Sequence, residues 1–346
     1  MNKDFLIYHT GYGEDSLKII VEDILKYKPK EIFYFTIGEW DLPQTIPDND
    51  FKELEKVCVE YNVQFYVLLG GMEHSYYISH RYPKQNFNVL RWPTYCLHDV
   101  YYALKHHNYD HIETLRAEVN LNYLFDLYNN IPHHHRCLLM DELEHYDLLK
   151  DGIVTWNKMD TTYSNYNFKY WEQKLIVLDD DFLLDGKRNE YTKNLLKHSA
   201  FCTIIPESTV NHIDYTEKTY RTIMLEKPYI GLGKAKHNKW FTKLGFELYD
   251  EIFDYSLDHS PVLERRVESI VDSIKRLRGK NLQELQELVQ PKIKRNKKRA
   301  MDLIEKDEFI PRKLIELYNN HMDVFNDSVD GTNIPRYFID VINKNI

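Results

Sequence analysis

The sequence predicts an α/β protein with two doubly wound parallel-sheet domains followed by C-terminal helices. Three observations support this fold class. Short apolar runs alternate with amphipathic helical stretches from residue 5 onwards, the alternation restarts near residue 118, and helical patterns dominate from Val262 to the end. The length of 346 residues exceeds one ordinary domain and suits two. We therefore predict domains over 1–117 and 118–320, with a helical tail over 321–346.

Four apolar runs in the first third predict strands, at 5–8, 31–36, 63–69 and 86–90. Helical periodicity between them predicts helices over 16–27 and 50–61, and a further helix passes through Tyr101 and Leu104. Strands that alternate with helices of this length form βαβ units, whose strands run parallel. The first domain is therefore predicted to contain one parallel sheet.

The second alternation has the same character. Strands are predicted at 122–128, 153–156, 175–178, 201–205 and 228–232, with helices over 135–149, 190–198, 216–226 and 240–244. The polar and aromatic run 157–172 predicts a loop.

Composition limits the classes of function. Apolar residues make up 43% of the chain, enough for real cores, and no apolar run approaches the roughly 20 residues of a membrane helix. The N terminus predicts a first strand rather than a signal peptide, so we expect a cytoplasmic protein without a membrane span, in the host cytosol if a virus encodes it. A net charge of −9 counts against a surface that grips duplex nucleic acid. The four cysteines are widely spaced and predict buried free thiols.

Three predicted loops follow strands of the first domain and carry groups able to move a proton. Ligands bind beyond the carboxyl ends of parallel strands, where such loops meet. Glycines in these loops permit close approach of the backbone to a ligand. The alternative is that such turns simply favour glycine and polar residues. The candidates for a catalytic base are His9, Glu14, Glu39, Glu73 and His74.

The run 129–136, Asn-Asn-Ile-Pro-His-His-His-Arg, lies between a predicted strand and a predicted helix. Backbone amides and Arg136 at such a position can hold a phosphate. The three histidines are adjacent and point in different directions, so we do not expect one metal ion to bind all of them. The basic run 292–299 is expected to be a solvated helix face, with a nucleic-acid surface as the alternative.

A third pattern joins Glu207 and Ser208 after a buried strand to Glu217 and Lys218 at the start of a helix, followed by the strand 228–233. A carboxylate suits the diol of a ribose, and a lysine at a helix N terminus suits a diphosphate. Glu217 has a structural alternative, since Asp214-x-x-Glu217 also fits a capping box.

The residues 207–208, 216–218, 228–233 and 244–246 resemble the donor-binding half of GT-B glycosyltransferases, most closely the α-1,3-fucosyltransferase type and glycosyltransferase-like proteins of large phages. The fucosyltransferase pattern has Glu-Asn-Ser where this chain has Pro-Glu-Ser. The stretch from Asn129 to Trp156 also resembles the phage-type proteins. The resemblance covers roughly 122–256 and implies a GT-B-like fold, with two Rossmann-like domains facing a cleft. It also implies that Glu207 and Glu217 meet the ribose and that Lys218 and Arg136 meet the diphosphate.

The expected reaction moves a sugar from a nucleoside-diphosphate sugar to the hydroxyl of a glycan or small acceptor. Lys218, Arg136 and Arg221 would neutralise the leaving diphosphate, so no metal or other cofactor is required. Two alternatives stay open: hydroxymethylated DNA bases as the acceptor, and a sugar-nucleotide or glycan-binding module without turnover. A rival signal, Asp179-Asp-Asp181, is typical of metal-bound sugar diphosphates.

Overall fold

The computed structural model describes residues 4–10, 16–36, 48–69, 86–106, 120–156, 164–174, 176, 199–211, 213–330 and 335–346. It contains two four-stranded parallel sheets with helices, which confirms the predicted α/β class. Two compact units divide the chain: 1–99 with 214–216 and 302–346, and 100–213 with 217–301. The domain ranges drawn from the sequence stay predictions; the compact units differ from them in placing 302–346 with the first unit.

The first sheet contains β1 (Phe5–Thr10), β2 (Glu31–Thr36), β3 (Gln64–Leu69) and β4 (Phe87–Arg91). The strands lie in sequence order and pair parallel, with Phe5 opposite Glu31 and Phe65 opposite Phe87. All four were predicted, because β-branched and aromatic residues concentrate in short runs there. A doubly wound sheet reverses its strand order, and the described strands of this sheet do not, so that part of the prediction is corrected.

Helices of the first unit cover both faces of this sheet. They are α1 (Ser16–Tyr27), α2 (Asp48–Glu60), α3 (Tyr95–His106), and at the C-terminal end α9 (Arg312–Asn320), α10 (Met322–Asp330) and α11 (Arg336–Lys344). Apolar residues of α1 and α2 pack with Ile32 and Tyr34 on one face. Phe325 of α10 and Phe338 of α11 pack against Phe33 on the other, at ring-centroid distances of 5.5 and 6.3 Å. The C-terminal helices thus supply the layer that a two-sided apolar sheet needs.

The second sheet contains β5 (Tyr123–Asn129), β6 (Gly152–Trp156), β7 (Ala200–Pro206) and β8 (Tyr229–Leu232), in the order β6-β5-β7-β8. The chain passes from β5 outwards to β6, and from β7 outwards to β8 on the opposite side. The strand order therefore reverses between β5 and β7. Right-handed crossovers at such a reversal place the two connecting helices on opposite faces, so this sheet is doubly wound as predicted.

The helices of the second unit begin and end close to the predicted bounds. They are α4 (His134–His145), α5 (Glu217–Met224), α6 (His237–Phe241), α7 (Leu263–Leu277) and α8 (Leu282–Glu305), with short 3-10 turns at Leu149–Asp151 and Thr242–Leu244. The predicted helix 190–198 lies outside the described residues. Of the predicted strand 175–178, the structure describes Ile176, which forms an antiparallel bridge with Trp156.

The basic run 292–299 of α8 binds the segment 244–251 of its own chain. Lys292 contacts the carboxylates of Asp250 and Glu251, and Arg295 donates to both carboxylate oxygens of Glu247. Lys297 Nζ donates to the carbonyl of Met224 at 2.6 Å, and Arg299 Nε donates to the carbonyl of Leu244 at 2.8 Å. Four of the six basic side chains of the run therefore hold the second unit together, a role that neither sequence interpretation included.

Two further properties follow from the described helices and cysteines. Across the described part of the chain, no helix is both long and apolar enough to cross a membrane. Cys58, Cys96, Cys137 and Cys202 are all buried free thiols, as predicted from their spacing.

Candidate functional site

The candidate site lies where the order of the second sheet reverses, at the carboxyl ends of β5 and β7. In open α/β sheets this reversal leaves a crevice, because the adjoining helices leave the sheet on opposite faces. β5 ends at Asn129 and leads to α4, and β7 ends at Pro206, with Glu207 next in the chain. The residue runs 129–136 and 207–218, singled out separately in the sequence, therefore meet at one edge of one sheet.

Arg136 is buried at this edge, with 3% of its surface exposed. Its guanidinium donates to the carbonyl of Ile131 at 3.0 Å and to the carbonyls of Pro206 and Glu207 at 3.3 and 3.1 Å. The side chain thus ties the loop before α4 to the end of β7. It brings a positive charge to the crevice while its terminal N–H groups support the backbone.

His133 and His135 report the electrostatic potential of the crevice. The pKa of His133 is lowered to about 4 by burial and by the positive charges of Arg136 and Lys218. Burial, with Arg136 as the next cause, also holds the pKa of His135 well below its ordinary value, and His135 Nε2 lies 2.8 Å from the carbonyl oxygen of Glu207. Both imidazoles are therefore neutral at pH 7, and the field that depresses the pKa of His133 attracts anions.

Glu207 is 1% exposed, and its carboxylate faces other side chains of the second unit. Its Oε1 accepts a hydrogen bond from Thr219 Oγ1 of α5 at 2.5 Å and lies 3.6 Å from His237 Nε2. Burial lowers the pKa of His237 to about 4, so the ring is neutral and gives Glu207 no full counter-charge. The carboxylate therefore links β7 to α5, which is the helix that carries Lys218.

Two glycines of the run 228–233 make room for His237. A Cβ atom built on Gly231 would lie 2.7 Å from the His237 ring, and one built on Gly233 would lie 2.5 Å from it. Asn238 holds the same place by pairing its carboxamide with the main-chain N–H and C=O of Gly231 at 3.0 and 2.9 Å. The Gly-Leu-Gly pattern thus has a packing reason in this structure.

Lys218 and Glu217 lie at the start of α5. Lys218 Nζ is 3.0 Å from Glu217 Oε1, and both side chains are partly exposed. Because α5 begins at Glu217, this residue takes the first helical position, whereas the predicted capping box needs it at the third. Arg221 lies in the last turn of the same helix and Ser208 directly follows Glu207. The roles assigned to these residues stay predictions.

Asn129 and Trp156 are two site residues that the sequence did not single out by themselves. They are paired in register at the ends of β5 and β6, and each is 1% exposed. Considering the described residues alone, neither the two amide atoms of Asn129 nor Nε1 of Trp156 has a hydrogen-bond partner. Buried polar groups are rarely left so, and those without a partner concentrate where a ligand or ordered water binds. Only the Asn at the predicted strand end gave a signal in advance.

Asp141 of α4 organises the aromatic segment that follows the crevice. Its carboxylate accepts hydrogen bonds from the main-chain N–H groups of Lys169, Tyr170 and Trp171 and from the hydroxyl of Tyr166. Burial by itself would raise the pKa of Asp141, but these hydrogen bonds outweigh it and the pKa is lowered. The segment 164–171, predicted as a loop, is therefore held by one carboxylate.

We expect Asp141→Asn to destabilise this segment by about 1–3 kcal/mol, because an amide cannot accept from all four donors. A lowered pKa means that the stabilisation is complete above the ordinary pKa of about 4 and is lost as the pH falls through the lowered value. Hydrogen exchange of the peptide 164–174 between pH 3 and 7 measures both effects. Glu144→Gln, an exposed change on the same helix, is the matched control. Equal protection in the two variants would contradict the role of Asp141.

The predicted residues of the first domain cannot be placed in the same way. Glu14, Glu39, Glu73 and His74 lie outside the described residues, as does the side chain of His9, whose backbone belongs to β1. The rival acidic run 179–181 also lies outside them. Within the described ranges, no group of three or more His, Cys, Asp or Glu side chains is arranged to hold a metal ion.

The fold and site define an α/β protein with a cationic crevice at the switch point of a doubly wound sheet. Comparison with family models, with curated proteins and with solved structures found no match.

Proposed function

We propose that this chain is a glycosyltransferase that binds a nucleoside-diphosphate sugar at the switch point of the second sheet and transfers the sugar to an acceptor hydroxyl. The observation that carries the proposal is the positive potential at His133, which Arg136 and Lys218 create at the carboxyl edge between β5 and β7. A diphosphate is the anionic part of such a donor. Binding at this edge is also where doubly wound sheets place nucleotides.

The residue types at this edge suit the leaving group of the reaction. Transfer of the sugar leaves negative charge on the diphosphate, and fixed positive charges stabilise it in place of a metal ion. Lys218 is partly exposed at the N terminus of α5, where the helix dipole adds to its charge. Arg136 adds charge from within the fold. The resemblance to the donor half of GT-B enzymes supports the same assignment, including the GT-B-like arrangement of two Rossmann-like domains.

The two alternatives are weighed by other observations. The DNA-directed reaction would use the basic run 292–299 as a nucleic-acid surface, yet four of its basic side chains bind the chain's own segments. A glycan or small acceptor is therefore the better supported partner. A binding module without turnover shares the same donor site, so only a measurement of turnover separates it from the enzyme.

The test is a panel of UDP, GDP, CMP and dTDP, with and without magnesium, measured by thermal unfolding. A ligand at 100 times its Kd stabilises the fold by about 2.7 kcal/mol, so one nucleotide class should raise the midpoint clearly. Lys218→Ala should weaken that binding roughly 10- to 150-fold, because a hydrogen bond to a charged group contributes about 1.5–3 kcal/mol. Lys239→Ala, which removes an exposed lysine from the same unit, should bind as the wild type does.

Turnover is measured as release of the matching nucleoside diphosphate from its sugar nucleotide, with and without glycan acceptors. Nucleotide binding with release would support the enzyme, and binding without release would support the module. If none of the nucleotides stabilises the wild-type protein, the proposal is wrong.

A further inference from the structure

One buried side chain at the switch point is not used by the proposed donor contacts. Asn129 is 1% exposed, and across the described part of the chain neither Nδ2 nor Oδ1 of its carboxamide has a hydrogen-bond partner. A carboxamide can donate two hydrogen bonds and accept two, so burial without any of them is costly. A leucine of similar size would be the more stable choice if the fold alone decided the residue.

The topology places this carboxamide beneath the first turn of α4. Asn129 and Trp156 are partners in register, so their side chains share one face of the sheet. Trp156 packs edge-on against Trp171 at 4.9 Å, and the main-chain N–H of Trp171 binds Asp141 of α4. α4 therefore covers this face. Because α4 runs back over the sheet from the end of β5, its N terminus lies above the last residue of that strand.

The first turn of α4 itself offers donors. No side chain caps this helix, and the first main-chain N–H groups with an internal acceptor are those of Arg136 and Cys137, both to the carbonyl of His133. Within the described residues, the N–H groups of His134 and His135 ahead of them have no acceptor. Uncapped N–H groups at the start of a 12-residue helix, together with the helix dipole, favour an anion.

We propose that the first turn of α4 and the carboxamide of Asn129 form the phosphate subsite, which takes the phosphate of a sugar phosphate. The N–H groups of His134 and His135 and Nδ2 of Asn129 donate to phosphate oxygens. Oδ1 of Asn129 accepts a hydrogen bond from a hydroxyl of the sugar that the phosphate carries. Trp156 Nε1, beside Asn129, is a further donor for a ligand oxygen. This assignment rests on the proposed function and adds to it the residues that meet the phosphate next to the sugar.

Arg136 and Lys218 surround this subsite with positive charge, as the lowered pKa of His133 records. Glu207 does not oppose it, because its carboxylate is turned to Thr219 and His237. Glu217, the other carboxylate near the crevice, is paired with Lys218. The charge around the first turn therefore favours an anion over a cation.

The first experiment locates the phosphate directly. The full chain is labelled with ¹⁵N at histidine, inorganic pyrophosphate is titrated in as the probe, and His134→Gln identifies one of the two resonances. We expect the amide signals of His134 and His135 to shift with pyrophosphate concentration, while those of His98 and His321 in the first unit stay in place. If neither His134 nor His135 shifts, the subsite is overturned.

The second experiment uses Asn129→Leu, which replaces the carboxamide by an apolar group of similar size. We expect a higher midpoint of thermal unfolding without ligand and at least a tenfold weaker affinity for pyrophosphate, with a larger loss for α-D-glucose 1-phosphate. Asn211→Leu, at an exposed position in the same unit, should leave the affinities unchanged. Wild-type affinity in Asn129→Leu would overturn the assignment whether or not the midpoint changes.

These results separate the subsite from the proposed function. If Lys218→Ala abolishes nucleotide binding while Asn129→Leu binds normally, the phosphate lies at α5 and the subsite is wrong, but the glycosyltransferase proposal stands. If pyrophosphate shifts His134 and His135 but no sugar nucleotide is turned over, the subsite stands and the enzymatic proposal fails.

Discussion

Asp307→Ala is expected to lower the free energy of unfolding of the first unit by about 3–5 kcal/mol, because it removes one acceptor from three buried donors. Oδ2 of Asp307 accepts hydrogen bonds from Trp92 Nε1 at 2.7 Å, Thr94 Oγ1 at 2.5 Å and His98 Nε2 at 2.8 Å. The side chains of Asp307 and His98 are both 0% exposed. No water can replace the carboxylate without rearrangement, so the three donors would be left unpaired.

The pH dependence of this contribution has a defined sign. Burial alone would raise the pKa of Asp307, but the hydrogen bond and charge of His98, with the bonds from Thr94 and Trp92, lower it overall. The stabilisation is therefore complete above the ordinary pKa of about 4 and is lost as the pH falls through the lowered value. Asp307→Ala should lack this acid-dependent part.

Urea unfolding followed by hydrogen exchange resolves the first unit through its peptides 86–106 and 302–346. Asp340→Ala removes an exposed carboxylate from the same C-terminal segment and serves as the control. A difference of less than 1 kcal/mol between the two variants would show that the Asp307 cluster does not hold the C-terminal helices.

Gly233→Ala is expected to destabilise the second unit by about 1–3 kcal/mol through overpacking. The added Cβ would lie 2.5 Å from Nδ1, 2.6 Å from Cγ and 3.1 Å from Cβ of His237. The ring is buried, and Gly231 closes it in as well, so it cannot move away freely. A displaced ring would also disturb Glu207, whose Oε1 lies 3.6 Å from Nε2.

A double-mutant cycle isolates this steric effect. His237→Ala removes the ring, so in that background Gly233→Ala should cost nothing or stabilise slightly, as replacement of glycine by alanine does at an unstrained position. The measured quantity is the free energy of unfolding of the four proteins in urea. Equal costs of Gly233→Ala in the two backgrounds would show that the His237 ring is not the obstacle.

The sequence determined most of the regular structure. Period-two and continuous apolar runs marked the strands, and 3.6-residue periodicity marked the helices, because one face of each element must meet a core. For α1 and β2 the predicted and observed bounds are identical. The sequence also indicated that 129–136 and 207–218 carry binding chemistry, since both lie where a predicted strand ends and a helix follows.

Tertiary structure decided what these local patterns could not. The strand order that brings Asn129 beside Glu207 depends on which strands pair, and no local pattern records pairing across 70 residues. The return of 302–346 to the first unit depends on Phe33 needing a second apolar layer, which Phe325 and Phe338 supply. The basic run 292–299 looked like a solvated face because sequence shows charge but not its partners. Glu247 and Asp250, which pair with it, lie more than 40 residues away.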